Sequence, residues 1–386
     1  MTNKIILALL LLLSATSAFA AEVKVLYVDR QADPFYAPRQ SYGAIYDVTR
    51  QSAVSGAELG VKDAQIIGRA IETTFQLNRL TIAAGDSAVA RLSDRLKTER
   101  DAAVILDLPG SDIEAIALQV GGTALFNIRD RSDELRVKTC KTNLFHVVPS
   151  DAMISDALAQ YLKLMRWNTI LVLTGDAAQD DVQAKSIART ASKFGLNIVA
   201  QRKFVQGNDP REREQNDVKL LTGGIDYDVV FVADQKGDFS RELPYRTVNP
   251  RPVIGTAGLR ATAWHADWER NGAPQLNRRF FKLAQRRMTD EDWAAWVAIR
   301  SVVEATVQAS QSPGSLVEQL LKPETAFELY KGYPGSYRPW DHQLRQSILL
   351  GTSDVVVALA PVDGALHEFN TLDTLGFDAP EFHCDP

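Results

Sequence analysis

Arginines and aromatic residues recur together just past β-rich runs of this chain, a pairing suited to gripping an anion beside a flat wall. The first instance is Asp33-Pro34-Phe35-Tyr36-Ala37-Pro38-Arg39-Gln40, where Arg39 is a two-pronged donor for a carboxylate and Tyr36 a wall. The competing reading is a proline-constrained surface turn. A second instance, Asn127-Ile128-Arg129-Asp130-Arg131-Ser132, makes Arg129 and Arg131 anion candidates. Against it stands an ordinary surface pair with Asp130 or Asp133, worth about 0–1 kcal/mol. Farther on, Asp234 ends a strand, Tyr245-Arg246 sits in a proline-bounded loop and Trp264-His265 opens the next helix. Trp264 with Arg246 beside it would hold a flat heteroaromatic by stacking and cation–π contact, whereas a core tryptophan is the plain alternative.

The elements that must position these residues alternate β with α, the pattern of parallel sheets built from βαβ units, so the fold class is α/β. Expected strands are Val23–Val28, Ala103–Leu106, Thr123–Phe126, Thr169–Thr174, Asn197–Phe204, Asp228–Ala233 and Pro252–Gly255. Expected helices are Gly56–Gln65, Ala88–Thr98, Ala152–Arg166, Asp181–Phe194, Glu212–Leu221, Gln275–Arg286 and Asp290–Gln308. Thr289 is placed to cap the last of these, with Asp292 reaching back. Trp293 and Trp296, three apart on it, read as packing. After about Ser336 short strands at Gln346–Leu350 and Val355–Ala360 predict a C-terminal hairpin. In open α/β sheets ligands bind past the carboxyl ends of the strands, where the arginine and aromatic clusters fall.

The chain opens with Lys4, an apolar run from Ile5 to Leu13 and the small-residue exit Ala18-Phe19-Ala20. That order is an export signal cleaved near Ala20 or Ala21, too short to span a bilayer, and it assigns the mature chain to the periplasm. With 43 Lys+Arg against 48 Asp+Glu among 386 residues, the balance is mildly acidic, which disfavours nucleic acid as a partner. The two cysteines, Cys140 and Cys384, meet an oxidising compartment after export and are expected to pair, the alternative being two separate buried thiols. No nucleophile elbow, dinucleotide fingerprint, phosphate loop or His-Glu-x-x-His occurs, and the five histidines lack ligand spacing. The reading is a binding protein and not an enzyme, with no cofactor required for folding.

Several stretches line up as one pattern. Gly56-Ala57-Glu58-Leu59-Gly60-Val61-Lys62-Asp63-Ala64-Gln65 resembles the first long helix of type I periplasmic substrate-binding proteins, the branched-chain amino-acid-binding class that feeds ABC importers. Leu144-Phe145-His146-Val147-Val148-Pro149-Ser150-Asp151, followed by a helix and Arg166-Trp167-Asn168-Thr169-Ile170, resembles the crossover of that family from lobe one to lobe two. The resemblance implies a two-lobed α/β fold with the ligand cleft between lobes. Lobe one would take residues 22–147 plus about 261–325, and lobe two 148–260 plus about 326–386. It places Trp340, beside Arg338 and Asp341, near an inter-lobe crossing, covering the cleft or sealing a hinge. Where amino-acid binders carry a Gly-rich turn and an acidic residue, this chain reads Asp234-Gln235-Lys236-Gly237-Asp238 and lacks that turn.

A narrower similarity lies in Leu243-Pro244-Tyr245-Arg246-Thr247, Thr262-Ala263-Trp264-His265, Tyr337-Arg338-Pro339-Trp340-Asp341-His342 and the ending Thr371-Leu372-Asp373-Thr374-Leu375-Gly376-Phe377. These are similar to the subgroup whose genes accompany pyrroloquinoline-quinone-dependent alcohol dehydrogenase systems. The resemblance implies pyrroloquinoline quinone (PQQ) as the ligand, an inner-membrane ABC permease as partner and capture by hinge closure. Two alternatives accompany it: an amino acid or a small aromatic or short-chain acid as ligand, and an accessory protein that delivers cofactor to the dehydrogenase.

Overall fold

The computed structural model describes residues 21–37, 39–40, 47–48, 50–205 and 215–384, with only the backbone at 39–40 and 47–48. The expected export segment and the start of the helix expected from Glu212 lie outside these residues. The amino-terminal half builds β1 (Ala21–Arg30), the short β2 (Arg39–Gln40) and β3 (Asp47–Val48), α1 (Val54–Ala70), β4 (Thr73–Ile82), α2 (Ala88–Thr98), β5 (Ala103–Leu106), α3 (Gly110–Gln119), β6 (Ala124–Asn127), α4 (Asp133–Thr139) and β7 (Leu144–His146). The chain then crosses into α5 (Asp151–Met165), β8 (Thr169–Thr174), α6 (Ala178–Phe194), β9 (Asn197–Lys203), α7 (Val218–Thr222), β10 (Val229–Ala233), α8 (Leu243–Arg246) and β11 (Val253–Gly255). The remainder forms β12 (Arg260–Thr262), α9 (Ala273–Ala284), α10 (Asp290–Gln311), α11 (Leu316–Leu320), the β13 (Ser336–Tyr337) and β14 (Leu344–Arg345) pair, β15 (Ile348–Gly351) and β16 (Val356–Ala360).

Two parallel sheets result, ordered β4-β1-β5-β6-β7 and β11-β10-β8-β9. Helices cover both faces of their central strands, so β5, β6 and β10 are buried throughout, and all their residues are apolar except Asn127 at the end of β6. The expected C-terminal hairpin is the antiparallel β15–β16 pair, with β12 on its other side. β4 was not expected; it is an edge strand whose polar residues alternate outward, so it lacks the apolar run that marks its neighbours.

α10 is the spine of the first core. Trp293 and Trp296 are both buried, and the capping box forms as expected: Asp292 N–H donates to Thr289 Oγ1 while Thr289 N–H donates to the Asp292 carboxylate. α1 packs on α10 through two glycines. A Cβ at Gly56 would lie 2.0 Å from the Asp292 carbonyl oxygen, and one at Gly60 2.8 Å from Ile299 Cβ. Only glycine permits that approach.

Three crossings join the sheets. Val147 and Val148 belong to the first core and Met153 to the second; Ala261 lies in the second and Ala263 in the first; Ile348 and Leu349 divide the same way. Phe327, Leu329, Tyr337 and Leu344, in the stretch expected with lobe two, pack into the first core. Buried polar groups knit the crossings together. Gln346 Nε2 donates to the Val147 carbonyl at 2.7 Å, while Lys331 Nζ donates to the Ala263 carbonyl at 2.9 Å and to Gln346 Oε1 at 2.8 Å. The same ammonium stands 3.7 Å from the Trp293 ring centroid, and burial holds its pKa well below the usual lysine value.

Candidate functional site

The carboxyl ends of both sheets face a cleft of about 870 Å³. Its first wall carries Tyr36 from the turn after β1, Arg131 after β6, and Thr289, Asp290 and Glu291 at the start of α10. Its second wall carries Asp151, Ile154, Ser155 and Leu158 from the first turns of α5, Phe231 and Asp234 around the end of β10, and Thr256 after β11. Arg260 and Thr262 of β12 and Trp264 close the floor beside the crossings. Two helix N-termini, those of α5 and α10, thus border one cavity from opposite lobes.

Tyr36 is half-buried and fixed from behind. Its hydroxyl donates to Asp107 Oδ2 at 2.7 Å, and that oxygen also accepts from Tyr27 at 2.6 Å. Asp33 caps the turn by accepting the Phe35 N–H at 2.9 Å. Arg129 belongs to this support and not to the cleft. Its guanidinium donates to Asp33 Oδ2 at 2.8 Å and to the Leu108 carbonyl at 3.0 Å, lies 3.4 Å from Asp107 Oδ1 and sits over the Phe35 ring. At 9 % exposure, with two carboxylates satisfying it, Arg129 is a structural ion, which corrects its expected place at a ligand. Burial raises the Asp107 pKa, and Arg129 opposes that shift.

Arg131 does line the cleft. Its Nη2 donates to Asp290 Oδ2, and Asp290 also accepts the main-chain N–H groups of Ala263 and Trp264 at 3.1 and 2.8 Å, so the pair ties the second crossing to the cleft wall. Asp234 lies in the cleft and is buried. Its Oδ1 accepts the Gly237 N–H at 2.9 Å and its Oδ2 the Ser240 N–H at 2.8 Å, which shapes the loop after β10.

Trp264 reaches the cavity with little surface, being 3 % exposed. Its ring stacks on Trp293 with centroids 6.0 Å apart and planes 10° from parallel, and its Nε1 donates to Asn277. Core packing accounts for most of it, the plainer of the two expectations. Arg246 does not stand beside it: it is an exposed residue of α8, paired with Glu242 one helical turn earlier. Trp340 lies away from the cleft, where it donates to the Phe377 carbonyl and is flanked by Arg338 and Arg345, so it packs the C-terminal tail against the β13–β14 segment. The side chain of Arg39 lies outside the described residues. Cys140 and Cys384 form the expected disulfide.

Asp151 and Glu291 are cleft residues the sequence reading did not single out. Burial, with Asp133 nearby, pushes the Asp151 carboxyl up to about 6 against the opposing pull of Arg131 and Arg136. Among the described residues no hydrogen-bond donor reaches that carboxyl group. Burial and Asp290 also raise Glu291. The signal for both was present: a Ser-Asp cap directly after β7 and an acidic first turn on α10 put carboxylates at strand and helix ends that face the cleft. Arg50 and Arg260 add cations to the rim. No group of three or more His, Cys, Asp or Glu among the described residues is placed to hold a metal ion, and no described helix is long and apolar enough to cross a membrane.

Two parallel sheets joined by three crossings, with a cleft at their carboxyl ends, define the two-lobed type I periplasmic binding protein fold. Solved structures with this fold include a branched-chain amino-acid ABC transporter periplasmic ligand-binding protein of Burkholderia xenovorans (TM-score 0.64, 14 % identity, 87 % of this chain and 95 % of that one). An ABC transporter substrate-binding protein of Desulfitobacterium hafniense in complex with Leu superposes equally well (TM-score 0.64, 16 % identity, 87 % and 99 %). A solute-binding protein of R. palustris in complex with benzoate follows (TM-score 0.60, 11 % identity, 88 % and 96 %). No protein-family model and no curated relative matches the chain.

Proposed function

We propose that the protein is the solute-capturing component of an ABC importer, acting outside the inner membrane and without catalysis, and that its ligand is a small carboxylate. The observation that carries this reading is the mixed-charge cleft between two lobes joined by three crossings. Its volume of about 870 Å³ lies in the range of small-molecule sites, roughly 300–1,000 Å³. Arg50, Arg131 and Arg260 are available to the carboxylate, Ile154, Leu158 and Phe231 give the second wall an apolar face for a ring or alkyl group, and Asp151 and Glu291 accept donors. Contacts to both walls favour the closed state, and a shift from mostly open to mostly closed takes about 5.5 kcal/mol of preferential binding. The permease would recognise that state.

Within this class the sequence resemblance supports PQQ, a flat ring bearing carboxylates. The Leu- and benzoate-bound structures of the same fold support an amino acid or a small aromatic acid. A dehydrogenase as receiver of the ligand rests on the resemblance alone. The test is thermal unfolding of ligand-stripped protein with PQQ, benzoate, phenylalanine and leucine in turn. A true ligand at a hundred times its Kd stabilises the fold by about 2.7 kcal/mol, a shift of several degrees. If none of the four moves the transition, the carboxylate reading is wrong.

A further inference from the structure

We infer that the C-terminal tail and its disulfide form a strap that limits rotation of the two lobes about the hinge, so that oxidation state sets the amplitude of cleft movement. This rests on the hinged-receptor reading above. The tail is fastened to the second lobe at successive points. Leu375 is buried in that lobe's core. The Gly376 N–H donates to Asp156 Oδ2 at 2.9 Å, and Lys193 Nζ donates to the Gly376 carbonyl at 2.7 Å. Arg189 stands 4.7 Å from the Phe377 ring centroid, and Lys193 pairs with Glu381 at 3.1 Å. Asp156 is on α5, and Arg189 and Lys193 are on α6.

The other end is fastened to the first lobe. Cys384 bonds Cys140 at the C-terminus of α4, and Leu135 of that helix packs in the core beneath the first sheet with Leu125 and Leu144. Between Glu381 and Cys384 lie three peptide links, which span at most about 10 Å. The covalent bridge therefore joins a first-lobe helix to a tail held by second-lobe helices, by a route separate from the three crossings. Along the way the tail lies on the hinge segment: Arg338 and Arg345 both donate to Asp373, and Arg338 also donates to the Leu372 and Leu375 carbonyls.

The strap runs on the side away from the mouth. On α5, Ile154, Ser155 and Leu158 line the cleft while Asp156 and Gln160 meet the tail. At 3.6 residues per turn these sets point to roughly opposite sides of the helix. A tie across the back of a pivot restrains the mouth without entering the ligand's space, and its reduction leaves the cleft-lining residues unchanged.

The test measures the distance between the lobes with no ligand. Spin labels are carried on p-acetylphenylalanine at positions 84 and 179, exposed residues just past the carboxyl ends of β4 and β8, in the full chain. Pulsed electron resonance then compares the oxidised protein, the same protein treated with a phosphine reductant, the double variant Cys140→Ser, Cys384→Ser, and Lys193→Ala with its disulfide intact. The strap predicts a distance distribution that widens by more than about 2 Å on reduction and in the double serine variant, with Lys193→Ala between the extremes. Lys193→Ala keeps the test open should the serine variant fail to fold. A distribution equally broad in all four samples overturns the strap and leaves the hinge standing. One equally narrow in all four overturns the hinge and the strap together.

Discussion

Asp151→Asn isolates the electrostatic cost built into the cleft. The Asp151 carboxyl is 8 % exposed and titrates at about 6 in the folded protein against 3.8 for the free group. That difference corresponds to about 3 kcal/mol. The folded state holds the proton more tightly than the unfolded one, so the penalty of ionising Asp151 is absent below about pH 4. It grows as pH rises from about 4 to about 6 and is complete above that. Asparagine keeps the shape and removes the charge. The variant should match wild type at pH 4 and exceed its unfolding free energy by as much as about 3 kcal/mol at pH 8. The assay is urea denaturation of ligand-free protein at half-unit steps from pH 4 to 8, following tryptophan fluorescence. Equal stability of variant and wild type at pH 8 would refute the reasoning, because it would mean that Arg131, Arg136 or solvent already compensates the charge. The same substitution should weaken a ligand that offers a cationic or hydrogen-bond-donating group and, by removing a like charge from the cleft, tighten a simple aromatic carboxylate, which titration of leucine and benzoate in parallel above about pH 6 checks.

Other expectations follow from single contacts. Arg129→Ala strands Asp33 and Asp107 in a buried site and should cost about 3–5 kcal/mol in chemical denaturation. Gly56→Ala drives a methyl group into the Asp292 carbonyl and should cost about 3 kcal/mol, with a matching fall in the midpoint of thermal unfolding. Arg246→Ala removes only an exposed pair, so stability should change by less than about 0.5 kcal/mol and affinity for any cleft ligand not at all.

The fold was legible because its signals are local. Apolar runs at 103–106 and 169–174 became buried parallel strands at those bounds, and the Thr289 cap with Asp292 three residues on became the capping box of α10. β4 was not legible, because an edge strand with outward polar residues has no apolar run to find. The site was legible in position more than in role. The rule that ligands sit past strand carboxyl ends placed Tyr36, Arg131 and Asp234 on the cleft. It could not tell Arg131 from Arg129, two residues apart on the same loop, because what separates them is contact with Asp290 on one side and with Asp33 and Asp107 on the other. Those partners are remote in sequence. Arg246 and Trp340 were drawn in by residue type and neighbours, whereas burial and helix position decide where each points.

Calorimetric titration of ligand-stripped wild type and Arg131→Ala with PQQ, benzoate, leucine and phenylalanine tests the central claim most directly. The account predicts one-to-one binding of at least one of these carboxylates to wild type, weakened at least about tenfold, or 1.4 kcal/mol, by the substitution. Binding that is indifferent to Arg131, or no binding of any of the four, would contradict a cleft built to capture a small carboxylate.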